Sequence, residues 1–298
     1  MVTDHPTKLP TRTQWAVGAL LVNAFVWGVS WWPFRVLQDH GLHPLWTTAI
    51  VYGAATICIT LFKPAAWQLL LRYPGLGLLA IGSGLTNICF NWAVSQGDVV
   101  RVVLLFYLMP AWSVLLAWPL LGERPSAGAL MRLLLALAGV GLVLKQADAP
   151  WPLPQTLVDY LAILGGLCFA LVNIMLLKLR DTPSEARMLA MFSGAAVMST
   201  VVVLWGGQSG WVPSFPAVKT SWLVVAGVLA LAFLVSNLAL QYGAARLRSN
   251  TTALVMLSEI LFASLSSIAL GAAVLDARTL WGGALIVAAC VWAAKSDH

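Results

Sequence analysis

The sequence predicts an all-α integral membrane protein of ten transmembrane helices, arranged as two inverted five-helix repeats. Three observations carry this expectation. The 298 residues are 60% hydrophobic and 9% charged, with a mean hydropathy of +0.86. Apolar runs of about 20 residues recur between short polar breaks, the length a helix needs to cross a hydrocarbon core of ~30 Å. The residue-by-residue alternation of membrane strands does not occur in them. Finally, the stretch LLFYLMPAWSVLLAWPLLGERP at 104–125 has an echo 149 residues later, ALVMLSEILFASLSSIALGAAV at 253–274. Leu121-Gly122 falls on Leu270-Gly271, and Pro110 falls on Glu259.

A polar tail, 1–14, leads into the first span, 15–33, which Trp15, Trp31 and Trp32 bracket as interface residues. No small-residue cleavage site follows the tail, so no removable leader is expected. The second span, 44–62, opens on Pro44, which suits a first helical turn. The third, 75–95, runs from Pro74 to Gly97-Asp98. The fourth, 102–121, stops at Gly122-Glu123-Arg124-Pro125, and the fifth, 127–144, stops at Lys145. The linker 146–156 contains Pro150, Pro152 and Pro154, which stiffen it. The remaining spans are 157–177, 187–206, 220–243, 250–271 and 279–294, with a short tail at 295–298. The domain expectation is thus two repeats, 15–145 and 157–294.

Positive charge sets the orientation. With the N-terminus inside, twelve Lys and Arg fall on the inner side. Five, namely Arg35, Arg101, Lys145, Lys219 and Arg278, fall on the outer side. Both termini are therefore expected in the cytoplasm, with the linker outside. Each half has an odd number of spans, so the halves insert in opposite senses, related by an axis in the membrane plane. The net charge of +6 sits at span ends and reads as topology, not as a nucleic-acid surface.

Several chemistries are not expected. Cys58, Cys89, Cys168 and Cys290 lie singly in apolar runs and read as small buried hydrophobes. His40 and His43 have no third ligand beyond Asp39, so no metal site is expected. There is no phosphate-binding glycine loop, and the spans contain no nucleophile with a histidine base. No cofactor is implied.

Polar groups at membrane depth are the candidate site. Glu259 lies eleven residues inward of Arg248, roughly 16 Å along a helix and so near the midplane. An ionised carboxylate there costs roughly 2.5–3.5 kcal/mol. It therefore reads as a partner for a substrate amino group, as a proton-coupling acid, or as a neutral acid bonded to Ser258 or a neighbouring helix. Ser83, Thr86, Asn87 and Asn91 share one face of the third span, and Ser236, Asn237 and Gln241 answer them in the eighth. Both stripes suit either a pathway lining or helix–helix hydrogen bonds. Asn23, Trp27 and Ser30 share a face of the first span, with Asn173 as the counterpart in the sixth. Trp27, Tyr107 and Trp112 offer either aromatic walls or ordinary packing. Pro110 removes a backbone hydrogen bond, frees the carbonyl near Phe106, and is the expected hinge. Asp98 and Arg101 form either a gate pair or a solvated loop pair. Ala80/Gly84, Gly166/Ala170 and Ala190/Gly194 are close-packing signals.

These features together resemble the drug/metabolite transporter superfamily, in particular its EamA-type ten-span members. The carriers of the resemblance are the run with Pro110, Leu121-Gly122-Glu123-Arg124, Gly139 and Gly141 in the following span, and Trp27-Gly28 in the first. The second copy departs from the pattern, with Gly271-Ala272-Ala273 where the first has Glu123. Within the superfamily the chain is most similar to amino-acid and metabolite exporters, including the YddG-like group. The resemblance implies a secondary transporter, not an enzyme, in the cell (inner) membrane. It would export small metabolites such as amino acids, aromatic or otherwise apolar, by alternating access through a central cavity at the repeat interface. Its site would combine Glu259, Asn87, Asn237, Trp27, Tyr107, Asn173, Ser30 and Ser83, with Pro110 as hinge. Its partners would be a small-molecule substrate and the lipid bilayer, with proton coupling, as a monomer or homodimer. The alternatives are export of cationic drugs, nucleobases or sugar conjugates and, more remotely, an intramembrane enzyme or a signalling subunit.

Overall fold

A computed structural model describes residues 11–122, 126–145, 153–244, 246, 247, 252, 255–273 and 276–296. Glu123, Arg124 and Arg248, most of the linker, most of the N-terminal tail and the last two residues lie outside them. Every regular element among the described residues is a helix. In chain order they are α1 (Thr11–Val29), α2 (Trp31–Asp39), α3 (Pro44–Phe62), α4 (Ala66–Arg72), α5 (Gly75–Gln96), α6 (Val99–Phe106) and α7 (Met109–Leu121). There follow α8 (Ala127–Leu144), α9 (Leu157–Lys178), α10 (Ser184–Gln208), α11 (Thr220–Ala244), α12 (Ser258–Ala269) and α13 (Ala277–Ser296). Among the described residues, eight segments are long and apolar enough to cross a membrane, counting α1–α2 and most of α6–α7 as one each. Within α12 and α13, Ser258–Ala269 and Ala277–Trp292 are shorter apolar helices.

The interruptions have local causes. The first span was expected to end at residue 33, yet the helix breaks at Ser30 and continues as α2 to Asp39. Pro33 has no N–H for the carbonyl one turn back, so the chain re-starts there. Ser30 Oγ closes the gap by donating to the Trp27 carbonyl at 2.9 Å. The fourth span breaks at Tyr107 and Leu108, again one turn before a proline, because Pro110 occupies the second position of α7. A helical interruption also falls at Leu257, 149 residues after Leu108, although Glu259 stands 149 residues after Pro110 in place of proline. Ile260 N–H bonds the Leu257 carbonyl at 3.1 Å instead of reaching back a full turn. A further echo is Gly122 and Gly271, with φ of +75° and +68°, which follow α7 and α12 in the left-handed conformation that suits glycine after a helix.

Helix pairs meet where small residues let backbones approach. A Cβ on Gly194 of α10 would collide with the Ala80 carbonyl of α5. A Cβ on Gly139 of α8 would lie 2.7 Å from the Gly282 carbonyl of α13, and one on Gly282 would lie 2.7 Å from the Gly139 carbonyl. The same reciprocity extends a turn further, with Ile286 against Gly139 and Val143 against Gly282. The larger packing pairs are α5 with α9, α1 with α11, α3 with α10, α5 with α10 and α8 with α13. In addition α9 packs on α6 and α7, and α1 packs on α12. Two large apolar clusters result, one around α6, α8, α9 and α13, the other around α2, α3, α10 and α11, and Trp27 packs against both.

Candidate functional site

Glu259 is the second residue of α12, at the broken turn, and is only 7% exposed. α1 lies directly against it: a Cβ on Gly28 would sit 2.8 Å from the Glu259 carbonyl and 2.7 Å from Phe262 Cβ. Only glycine permits that approach. Tyr107, at the break between α6 and α7, is buried and places its hydroxyl 3.0 Å from Glu259 Oε2 and 3.2 Å from the Met256 carbonyl. Tyr107 and Met256 are 149 residues apart, the offset of the sequence echo. The two interrupted helices therefore meet at their breaks, and the meeting point holds the deep carboxyl. First-turn placement favours an anion by roughly 0.3–1 kcal/mol. Burial at membrane depth opposes it by roughly 2.5–3.5 kcal/mol. A charged Glu259 thus needs a cation or water beside it.

The other expected site residues are distributed differently. Trp27, half-buried, stacks on Phe233 at 4.7 Å and meets Phe90 edge-on at 6.2 Å, so its ring is packed within the bundle. Asn87 accepts from the Tyr52 hydroxyl and donates to the Ser83 carbonyl at 2.8 Å. Ser83 in turn donates to the Met191 carbonyl of α10 at 3.1 Å. These two residues tie α5 to α3 and α10. Asn237 is half-buried and accepts from Gln241 at 2.7 Å along its own helix. Its neighbour Ser236 receives the Asn23 amide at 2.6 Å, which joins α1 to α11. Asn173 is exposed on α9, with its amide 4.0 Å from Met109 Sδ. Trp112 carries a buried, unpartnered indole N–H. Glu259 and Tyr107 are thus brought together, while Asn87, Ser83 and Ser30 use their polar atoms on helix contacts.

The end of the bundle opposite the N-terminus of α1 is tied by charged groups. Asp98 caps α6 through the Arg101 N–H at 2.8 Å and does not pair with the Arg101 guanidinium. That guanidinium reaches α9 instead, with Nε 2.8 Å from Asp159 Oδ1 and Nη2 3.1 Å from Oδ2. Its Nη1 donates to the Val143 carbonyl of α8. Arg35 of α2, expected in a loop, donates to the carbonyls of Val94 and Gly97 at the end of α5. Trp31 Nε1 donates to Ser266 Oγ of α12 at 2.9 Å. A recess of about 510 Å³, lined by Arg35, Gln38 and Asp98 among others, opens at this end, roughly three turns from Glu259. Asp159 was missed from the sequence. Thr156-x-x-Asp159 before an apolar run is a capping-box signal and could have placed it at the third position of α9. Nothing in the sequence points to Arg101 as its partner.

Comparison with known proteins agrees with the helical architecture. A solved crystal structure of a protein shares the fold, with a TM-score of 0.58 and 19% identity over 93% of this chain and 96% of that one. No curated protein matches the chain. Residues 14–145 match the EamA-like transporter family. Over that segment, a little under half of the chain, the sequence is similar to the EamA-like transporter family.

Proposed function

We propose that the protein is a ten-span secondary transporter that exports amino acids, preferentially those with apolar or aromatic side chains, by alternating access. Two inverted five-helix repeats, 15–145 and 157–294, sit in the cell (inner) membrane with both termini in the cytoplasm. The helix pairings support the inversion. Exchanging the first five spans with the last five turns the α5–α9 pair into the α11–α1 pair. It turns the α9 contact with α6–α7 into the α1 contact with α12, and leaves α3–α10 and α8–α13 paired with themselves. The reciprocal approach of Gly139 and Gly282 is what such an axis between α8 and α13 produces.

The observation that carries the functional reading is the buried Glu259 carboxyl at the junction of two interrupted helices, bonded to Tyr107. Broken helices at the midplane are where transporters of inverted-repeat architecture place their sites. A carboxylate there receives the ammonium of an amino acid. The ring of Tyr107 and the half-buried Trp27, Met109 and Trp112, which pack against the same apolar cluster, suit an apolar side chain. The charged ties at the opposite end from the N-terminus correspond to closure on the extracytoplasmic side, with Pro110 at the hinge of the moving segment.

The test is counterflow in liposomes with a panel of labelled amino acids, organic cations and nucleobases. Accumulation of tryptophan, phenylalanine or leucine is expected, and Glu259→Gln should abolish it while the protein still inserts. Wild-type flux in Glu259→Gln, or flux of nucleobases alone, would sink this reading.

A further inference from the structure

The Tyr107 hydroxyl has two acceptors and one hydrogen. Its oxygen is 3.0 Å from Glu259 Oε2 and 3.2 Å from the Met256 carbonyl. A carbonyl has no hydrogen to give. Glu259 has one only when protonated. With an ionised Glu259 the single hydroxyl hydrogen serves one acceptor, and the other faces an oxygen with nothing between them. With a protonated Glu259 both distances are hydrogen bonds: the carboxyl O–H donates to Tyr107, and the Tyr107 O–H donates to Met256. The Met256 carbonyl needs that donor, because the Ile260 N–H, one turn on, goes to Leu257 instead.

We infer that Glu259 and Tyr107 form a proton-binding site that is filled in this conformation, and that the Tyr107 hydroxyl turns between Met256 and Glu259 as the proton leaves and returns. The inference rests on the transporter reading only for its use, since the hydrogen count stands without it. The step moves one proton and no electrons. Release breaks the Glu259 O–H bond and passes the proton to water on whichever face is open. The carboxylate that remains takes the Tyr107 hydrogen, and the Met256 carbonyl loses its donor. A substrate ammonium can then meet the carboxylate. Release of the proton and arrival of the cation are thereby coupled through one side chain, and the helix break above Met256 senses the exchange.

The surroundings fit a site governed by its own carboxyl. Among the described residues, the titratable groups at the junction are Tyr107 and, behind it, Cys290 of α13, whose Sγ is 3.8 Å from the Tyr107 carbonyl. α1 faces Glu259 with Gly28, and Ser258 beside it donates to the Val255 carbonyl at 2.6 Å.

Infrared difference spectra of the full chain in liposomes, recorded across pH, test the site without any substrate. The expected result is a protonated-carboxyl band that disappears at high pH, is lost in Glu259→Gln, and is displaced with a shifted midpoint in Tyr107→Phe. The tyrosine variant keeps the ring and its packing, so it reports on the hydroxyl even where Glu259→Gln inserts poorly. A band absent at every pH, one that never titrates, or a Tyr107→Phe spectrum identical to wild type overturns the inference. Labelled tryptophan flux separates the two readings. Flux without a titrating carboxyl defeats the proton site and spares the transporter, whereas a titrating carboxyl without flux of any amino acid does the reverse.

Discussion

Replacing Arg101 by Gln should open the end of the bundle that its guanidinium closes. Arg101 sits in the first turn of α6, contacts Asp159 of α9 through two nitrogens at 2.8 and 3.1 Å, and also donates to the Val143 carbonyl of α8. The Asp159 side chain is 1% exposed and that of Arg101 is 23% exposed. Exposed pairs contribute up to about 1 kcal/mol, and removing one partner of a fully buried pair costs about 3–5 kcal/mol. With one partner buried and the other partly solvated, a loss of about 2 kcal/mol is reasonable. If the clamp exists only while this end is closed, that loss shifts the closed–open balance about 30-fold, at 1.4 kcal/mol per tenfold. Ser95, buried at the end of α5 beside the recess, is the reporter. With the four native cysteines replaced, a Ser95→Cys thiol should react with an impermeant reagent about 30-fold faster when Arg101→Gln is added. Asp159→Asn should give a similar rise, and the double variant little more, because the partners act as one unit. A charge swap is a poor test, since Asp159 also accepts the Gln155 and Thr156 N–H groups at the start of α9, where a cation is unfavourable. Equal thiol reactivity in wild type and Arg101→Gln, with stability lowered, would show a static brace and refute the latch.

Three further outcomes follow from the packing and the caps. Gly139→Ala or Gly282→Ala puts a methyl 2.7 Å from the facing carbonyl, so each should destabilise α8–α13 by about 1–3 kcal/mol in detergent unfolding; a neutral effect would mean the pair has slack. Gly28→Ala should push α1 off Glu259 and lower flux more than it lowers expression, and equal losses of both would argue against a site at that contact. His43 lies outside the spans and accepts the Leu45 N–H at 3.3 Å to cap α3, and burial holds its imidazole below the usual histidine range. The unfolded chain then binds the proton more readily, so stability should fall as pH drops through about 6.5. His43→Asn supplies a capping oxygen in place of the ring nitrogen and should flatten that dependence, while His43→Ala should cost about 0.5–2 kcal/mol at pH 8.

What the sequence made legible is what run length and local chemistry encode. Membrane-length helices follow from apolar runs, and the interruption at Tyr107 follows from Pro110. The helix α2 was readable in principle, because Trp31, Phe34 and Leu37 repeat at three-residue spacing and all three are buried. Arg35, Gln38 and Asp39 between and after them read as a loop instead. The site was half legible. Glu259 stands out because a carboxyl at midplane needs a reason, but Asn87 and Ser83 look the same in sequence whether they line a path or tie helices, and the structure ties helices with them. Tertiary pairings such as Arg101 with Asp159 leave no trace in spacing.

The break at Leu257 shows why the segment around Glu259 resists a purely local reading. Pro110 accounts for the first break, yet the second occurs at the equivalent position with no proline to cause it. Its carbonyl at Met256 is satisfied from outside the helix, by the Tyr107 hydroxyl, and Tyr107 is itself placed by the first break. The segment with Pro110 therefore carries the covalent cause of its own interruption and supplies the donor that supports the interruption at Leu257. This frees the position opposite Pro110 to hold an acid, since the turn there no longer needs a proline to stay open. The asymmetry between Pro110 and Glu259 is thus a division of labour across the junction, in which a break fixed by proline supports a second break that carries a carboxyl.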